Sequence, residues 1–156
     1  MASDSDWGGC ADRVSISGYT LFISGALVGW MCQRQKSITL SSTESEFVSC
    51  STAAREISWC RDILQELGFE QKGATILQCD NSGASDWSEG EKSGYFRKTK
   101  YLDMRHLYVR GLVSDGLVKM ERVSTKDQLG DCLTKPLPAP AIQISNDRFN
   151  LKESKY

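Results

Sequence analysis

Between Phe47 and Leu67 apolar residues recur at helical spacing: Phe47, Cys50, Ala54, Ile57, Cys60, Leu64 and Leu67. A helix with so long a stripe needs a surface to bury it against, because tertiary packing supplies most of a helix's stability. Ser41-Ser42-Thr43 opens this helix and Gly68 is a stop signal. The flanking segments read as strands. Tyr19–Ile23 and Leu27–Cys32, punctuated by Gly25, form a hairpin pattern, and Ile38–Leu40 is a candidate third strand. Thr75–Cys79 is a short apolar strand ending at Asp80. Tyr101–Val113 has a helical pattern, Leu117–Val123 a strand pattern, and Thr125 opens a last helix to about Thr134, ended by Pro136 and Pro138. This order predicts an α/β fold, a mixed sheet with helices packed on it. After Ala139 the charges are mixed and periodicity is weak, so a domain over 1–138 and a loosely ordered tail over 139–156 are expected.

The chain has 156 residues, enough for one domain with a real core. None of the six cysteines forms a C-x-x-C pair and His106 is the single histidine, which argues against zinc; the thiols are read as reduced. No apolar run approaches the ~18 residues of a membrane span, and no signal-peptide pattern opens the chain. An intracellular, non-membrane protein is expected. The formal net charge is −1, which argues weakly against nucleic acid. Its distribution argues the other way: Lys92, Arg97, Lys98, Lys100, Arg105 and Arg110 are interleaved with Tyr95, Phe96, Tyr101 and Tyr108. Taken alone, this stretch reads better as a solvated helix and loop. His106 falls on the apolar stripe of its helix and reads as a packed histidine.

Four carboxylates stand in unusual places. Glu46 lies on the stripe of Cys50, Ile57 and Leu64, whereas Glu44 points away. A carboxylate on a core face is costly unless paired or bound to a cation. Thr43-x-x-Glu46 also fits a capping box, but so does Ser41-x-x-Glu44, so the cap does not require Glu46. Asp80 ends a strand, where ligand groups gather in α/β sheets, although on local sequence alone a helix cap or turn is the better reading. Asp131 borders the Leu129, Cys132 and Leu133 stripe of a helix that Thr125-x-x-Gln128 can cap, and alone it reads as a solvated edge residue. Asp4 and Asp6 share one face if the first segment is a strand. Oxygen ligands of this kind suit Mg²⁺, and paired ions clamp both oxygens in phosphodiester cleavage.

Longer motifs then connect these residues. Ser3-Asp4-Ser5-Asp6-Trp7-Gly8-Gly9, Ser15-Ile16-Ser17-Gly18-Tyr19, Gly29-Trp30 with Gln33 to Lys36, Ser41-Ser42-Thr43-Glu44-Ser45-Glu46-Phe47, Cys79-Asp80-Asn81-Ser82-Gly83-Ala84, Arg97 to Arg105 and Val123 to Pro138 occur in this order. Together they resemble the ribonuclease H domain of copia-type long-terminal-repeat retrotransposon polyproteins, over residues 3 to 138. The resemblance implies a ribonuclease H-like fold, a five-stranded mixed sheet flanked by helices. Only Met1-Ala2 precede the first motif, so a truncated first strand with a weakened edge position is expected. It implies a monomeric enzyme that hydrolyses the RNA strand of RNA/DNA hybrids with two Mg²⁺ ions, for which Mn²⁺ can substitute. Asp4, Glu46, Asp80 and Asp131 are then the catalytic and metal-binding residues, with Asp6 an alternative to Asp4. Asn81, Arg97, Lys98, Lys100 and Arg105 are the substrate-binding candidates. A reverse transcriptase domain is the implied partner, and the cytoplasm or a retrotransposon particle the implied location. Tyr101, Ser124 and Gly130 depart from the family pattern. Gly130, read as mid-helix, is expected to cost ~1 kcal/mol against Ala. This motivates an alternative, a catalytically weak or co-opted module that binds hybrid duplex.

Overall fold

The computed structural model describes residues 1–80 and 100–151. Five strands form one mixed sheet: β1 (Ala2–Asp6), β2 (Ile16–Ile23), β3 (Ala26–Arg34), β4 (Thr75–Cys79) and β5 (Val118–Arg122), in the order β3-β2-β1-β4-β5. β1, β2 and β3 pair antiparallel, while β1, β4 and β5 run parallel. The helices among the described residues are α1 (Ser42–Glu66), α2 (Lys100–Ser114), α3 (Asp131–Thr134) and α4 (Ala139–Arg148), with a 3-10 turn over Thr125–Asp127. This is an α/β fold compatible with a ribonuclease H-like architecture. Among the described residues, no helix is long and apolar enough to cross a membrane.

α1 forms where its stripe requires it. Ser41 caps it, its side chain accepting from the Glu44 N–H at 3.1 Å, and Glu44 Oε2 accepts from the Leu40 N–H at 2.8 Å. The cap is thus made by Ser41 and Glu44, and Glu46 takes no part in these bonds. Phe47, Ala53, Ala54 and Ile57 are buried against Leu77 and Cys79 of β4, Val118 and Met120 of β5, and Val109 and Leu112 of α2. His106 packs its ring on Phe47, centroids 5.7 Å apart, as its stripe position suggested.

Several local expectations give way to tertiary geometry. Ile38–Leu40 is not a strand; Ile38 and Leu40 are exposed, and Thr39 is held by Trp7 and Ser15. β1 is not at an edge: it is the central strand, paired to β2 from Ala2↔Thr20 through Asp6↔Ile16 and to β4 at Ala2↔Gln78. Residues 125–134 do not make one helix. Gln128 is extended, and its side chain bridges instead of capping: Nε2 donates to Ser3 O at 2.8 Å while Oε1 accepts from Gly130 N at 3.1 Å. Ala139–Arg148 is helical despite its weak periodicity. Phe149 is buried against Phe22, and Arg148 pairs with Asp127 at 2.9 Å.

Gly130 therefore sits at the start of α3, not inside a helix. A Cβ there would lie 2.8 Å from Asp4 Cβ and 2.9 Å from the Asp4 backbone nitrogen. At Gly18 it would lie 2.8 Å from Thr134 Cγ2 and 3.0 Å from Leu133 Cβ. Both glycines are needed for α3 to lie directly on β1 and β2. Gly130→Ala should consequently destabilise the chain by about 1–3 kcal/mol, as overpacking does, where a mid-helix glycine would have gained from the same change. Chemical denaturation decides this: a more stable G130A means that α3 does not approach β1 so closely.

Candidate metal centre

The sheet register brings two aspartates level. Ala2 of β1 pairs with Gln78 of the parallel strand β4. Two residues further along each strand stand Asp4 and Asp80. Asp80 lies just past the end of β4 and accepts from Thr125 Oγ1 at 3.2 Å. The close packing of α3 on β1 adds Asp131. Carboxylate oxygens of Asp4, Asp80 and Asp131 all lie within 4.8 Å of one another. Three hard oxygen donors so placed suit a divalent cation such as Mg²⁺.

Asp4 is the deepest member, its side chain 1% exposed. Its neighbour Ser3 donates from Oγ to Ser49 Oγ of α1 at 2.9 Å, and Ser49 Oγ donates to Asp4 O at 2.6 Å. Successive side chains of a strand alternate between faces, so α1 covers the Ser3 face and the Asp4 carboxylate turns to the α3 face. There Thr134 Oγ1 donates to Asp4 Oδ2, and the Lys135 ammonium lies 3.3 Å from the same oxygen and 2.9 Å from Asp131 Oδ1. Burial pushes the Asp4 carboxyl up to about 6, against the lowering influence of Thr134 and Lys135; the charges of Asp131 and Asp80 add to the rise. For Lys135 burial acts downward, but its bond to Asp131 and the charges of Asp4 and Asp131 outweigh it and raise the ammonium to about 12. Both shifts are upward, but the rise favours the neutral form of buried Asp4 and the charged form of Lys135, whose side chain is 33% exposed and loses much less hydration.

Of the residues expected at the site, Asp4, Asp80 and Asp131 converge. Asp6, the alternative to Asp4, ends β1 beside Gly9 and is not in the group. Glu46 also lies outside this group of three. It rides on α1, its Oε2 is buried, and its charge reaches Cys50 one turn on. Cys50 in turn meets Cys79 and Ser3, the neighbours of Asp80 and Asp4; the bond to Cys79 and burial push its thiol well up. Arg105 donates to Val48 O at 3.1 Å and Ser51 Oγ at 2.7 Å, tying α2 to α1. With Arg34, Lys36 and Arg55 it also lines a groove of about 770 Å³ beside α1 and β3. Lys100 opens α2. Asn81, Arg97 and Lys98 lie outside the described residues. Sequence reasoning missed Thr134, Lys135, Gln128 and Thr125; the spacing of Lys135 four residues after Asp131 was the available signal.

No protein-family model matches the chain. It is 34% identical to the retrovirus-related Pol polyprotein from transposon TNT 1-94 of Nicotiana tabacum over 146 residues, 93% of this chain and 11% of the relative. It is also 34% identical to the retrovirus-related Pol polyprotein from transposon RE2 of Arabidopsis thaliana over 142 residues, 90% of this chain and 10% of that one. The chain is similar to retrotransposon Pol polyproteins. The likeness supports a retroelement origin, and the chain spans about a tenth of the length of these Pol polyproteins.

The raised Asp4 carboxyl fixes the sign of one pH effect. Its folded-state value, about 6, lies above the ordinary 3.8. The folded chain then keeps a proton that the unfolded chain releases, so the stability contributed by Asp4 rises as pH falls from about 6 towards 3.8. In metal-free buffer, Asp4→Asn should be most favourable relative to wild type at neutral pH, and the difference in urea midpoint should shrink as pH falls through that window. A difference that stays flat with pH contradicts the burial of an ionised Asp4.

Proposed function

We propose that this chain is the ribonuclease H segment of a retrotransposon Pol polyprotein, a metal-dependent endonuclease that hydrolyses the RNA strand of RNA/DNA hybrids. The observation that carries the reading is the convergence of Asp4, Asp80 and Asp131 within 4.8 Å, from three elements far apart in sequence. Likeness to Pol polyproteins supports a retroelement origin; RNA/DNA hybrid would be the substrate and a reverse transcriptase domain the partner in this reading. Asp4, Asp80 and Asp131 would hold the cations, with Glu46 as fourth carboxylate delivered by α1. When bound, a pair of Mg²⁺ ions would supply water activation and stabilisation of the leaving oxygen, with Mn²⁺ able to substitute.

The chain's own residues set the carboxylates in place. Thr134 and Thr125 fix the oxygens of Asp4 and Asp80 through hydrogen bonds, and Ser49 pins the Asp4 carbonyl from the other face of the sheet. Arg34, Lys36, Arg55 and Arg105, along the groove beside α1, are suited to backbone phosphates, which give affinity without sequence preference. Asn81, Arg97, Lys98 and Lys100 complete the proposed substrate contacts. Selectivity for the RNA strand would come from its 2′-hydroxyl groups.

A labelled RNA/DNA hybrid tests the reading. Wild type should cleave it with Mg²⁺ or Mn²⁺ and stop in EDTA. Asp80→Asn should abolish cleavage, retain hybrid affinity within a few-fold, and melt at or slightly above the wild-type temperature, because it relieves carboxylate repulsion. Cleavage persisting in EDTA sinks the metal mechanism, and equal cleavage by D80N sinks the role of Asp80. Hybrid binding without cleavage by wild type would leave a nucleic-acid-binding module of the same fold.

A further inference from the structure

Lys135 directly follows α3 and stands against the acidic group. Its Nζ donates to Asp131 Oδ1 at 2.9 Å and lies 3.3 Å from Asp4 Oδ2 and 3.4 Å from Asp4 Oδ1. The backbone sets this position. Lys135 is the C-cap of α3, its N–H bonded to Asp131 O at 2.9 Å, so the two side chains lie one helical turn apart. An ammonium is a compact cation with three donors. This one touches two of the three carboxylates whose oxygens lie within 4.8 Å of one another. Its side chain is still one-third exposed, which leaves it a way out to water.

We propose that Lys135 is a built-in counter-cation: it holds the acidic group together in the metal-free chain and is displaced when a divalent ion enters. The proposal rests on the metal-binding reading above and adds a residue to it. Three carboxylates this close repel one another, and Asp4 is buried too deeply for water to screen the repulsion. A lysine supplies one positive charge from a flexible stem, so the chain can fold before any metal arrives. A divalent ion bound to Asp4 and Asp131 would stand within a few ångströms of that ammonium, and two cations cannot share the same oxygens without strong repulsion. The ion must therefore evict the ammonium, and Lys135 sets the metal concentration at which the site loads.

The test is metal binding by the whole chain without nucleic acid, read by calorimetric titration and thermal melts in MgCl₂ and MnCl₂. Lys135→Met keeps much of the stem and removes the charge. Lys135→Arg keeps the charge on a planar fork that can grip both carboxylates. In EDTA, K135M should melt below wild type and K135R close to it. The Mg²⁺ midpoint should fall about tenfold in K135M and rise in K135R, since the ion then displaces no cation or a more firmly held one. A K135M midpoint equal to or above that of wild type, with wild type responding normally to metal, overturns the counter-cation and leaves the nuclease reading standing. If wild type binds neither metal, both fail. Should K135M not fold, K135R decides alone: a midpoint at or below the wild-type value overturns the proposal.

Discussion

Asp4 carries a carboxylate in the central strand of the sheet with 1% of its side chain exposed, and the surrounding structure is arranged around that charge. An ionised group taken out of water requires donors or a cation at contact distance. Thr134 and Lys135 are those partners, and both belong to the segment that α3 presents. For that segment to reach β1, two side chains must be absent, at Gly18 and Gly130. Gln128 then fastens the approach by bonding both Ser3 O and Gly130 N. One buried charge thus accounts for two glycines, a buried glutamine, and a short helix that would have no stability of its own at four residues.

The sequence made local features legible and left long-range ones obscure. The α1 stripe, the β2–β3 hairpin, β4 and β5 follow from periodicity, because each is decided by side-chain spacing within one segment. The freedom of Glu46 from the cap was also readable, since Ser41 and Glu44 offered a complete capping pair. What failed was set by partners far along the chain. Ser3-Asp4-Ser5-Asp6 has no apolar alternation, yet it is the central strand, because both neighbours supply hydrogen bonds and Ser3 bonds to Ser49 of α1. Thr125-x-x-Gln128 looks like a cap, but Gln128 finds a better use 125 residues away at Ser3. Gly130 read as a weakness for the same reason: helix propensity describes an isolated helix, and here the deciding quantity is the distance to Asp4. At the site, Asp4, Asp80 and Asp131 were legible as residues; Lys135 had only its four-residue spacing from Asp131 as a signal, and Thr134 had none, because its partner Asp4 lies 130 residues away.

The interior divides between the strands that α1 covers. From Ile57 towards β4, β5 and α2 the core is apolar, with Leu77, Val109 and Val118 fully buried, and each such side chain stabilises the fold by about 1.5–3 kcal/mol. Towards β1 and β2 many of the buried residues are small and polar: Ser3, Ser17, Ser45 and Ser49, with Gln35 donating to Ser17 Oγ, Ser45 O and Ser45 Oγ. Serine allows the helix to approach the sheet closely, and its hydroxyl converts that approach into directional bonds. An apolar contact holds surfaces together but permits small slides, whereas a hydrogen bond fixes an atom to a few tenths of an ångström. The strand that bears Asp4 is therefore gripped by directional bonds from α1 on one face and from the α3 segment on the other. The strand that leads into Asp80 is held differently, by the apolar packing of Leu77 and Cys79 against α1, so the alignment of the three aspartates draws on directional bonds at β1 and on core packing at β4.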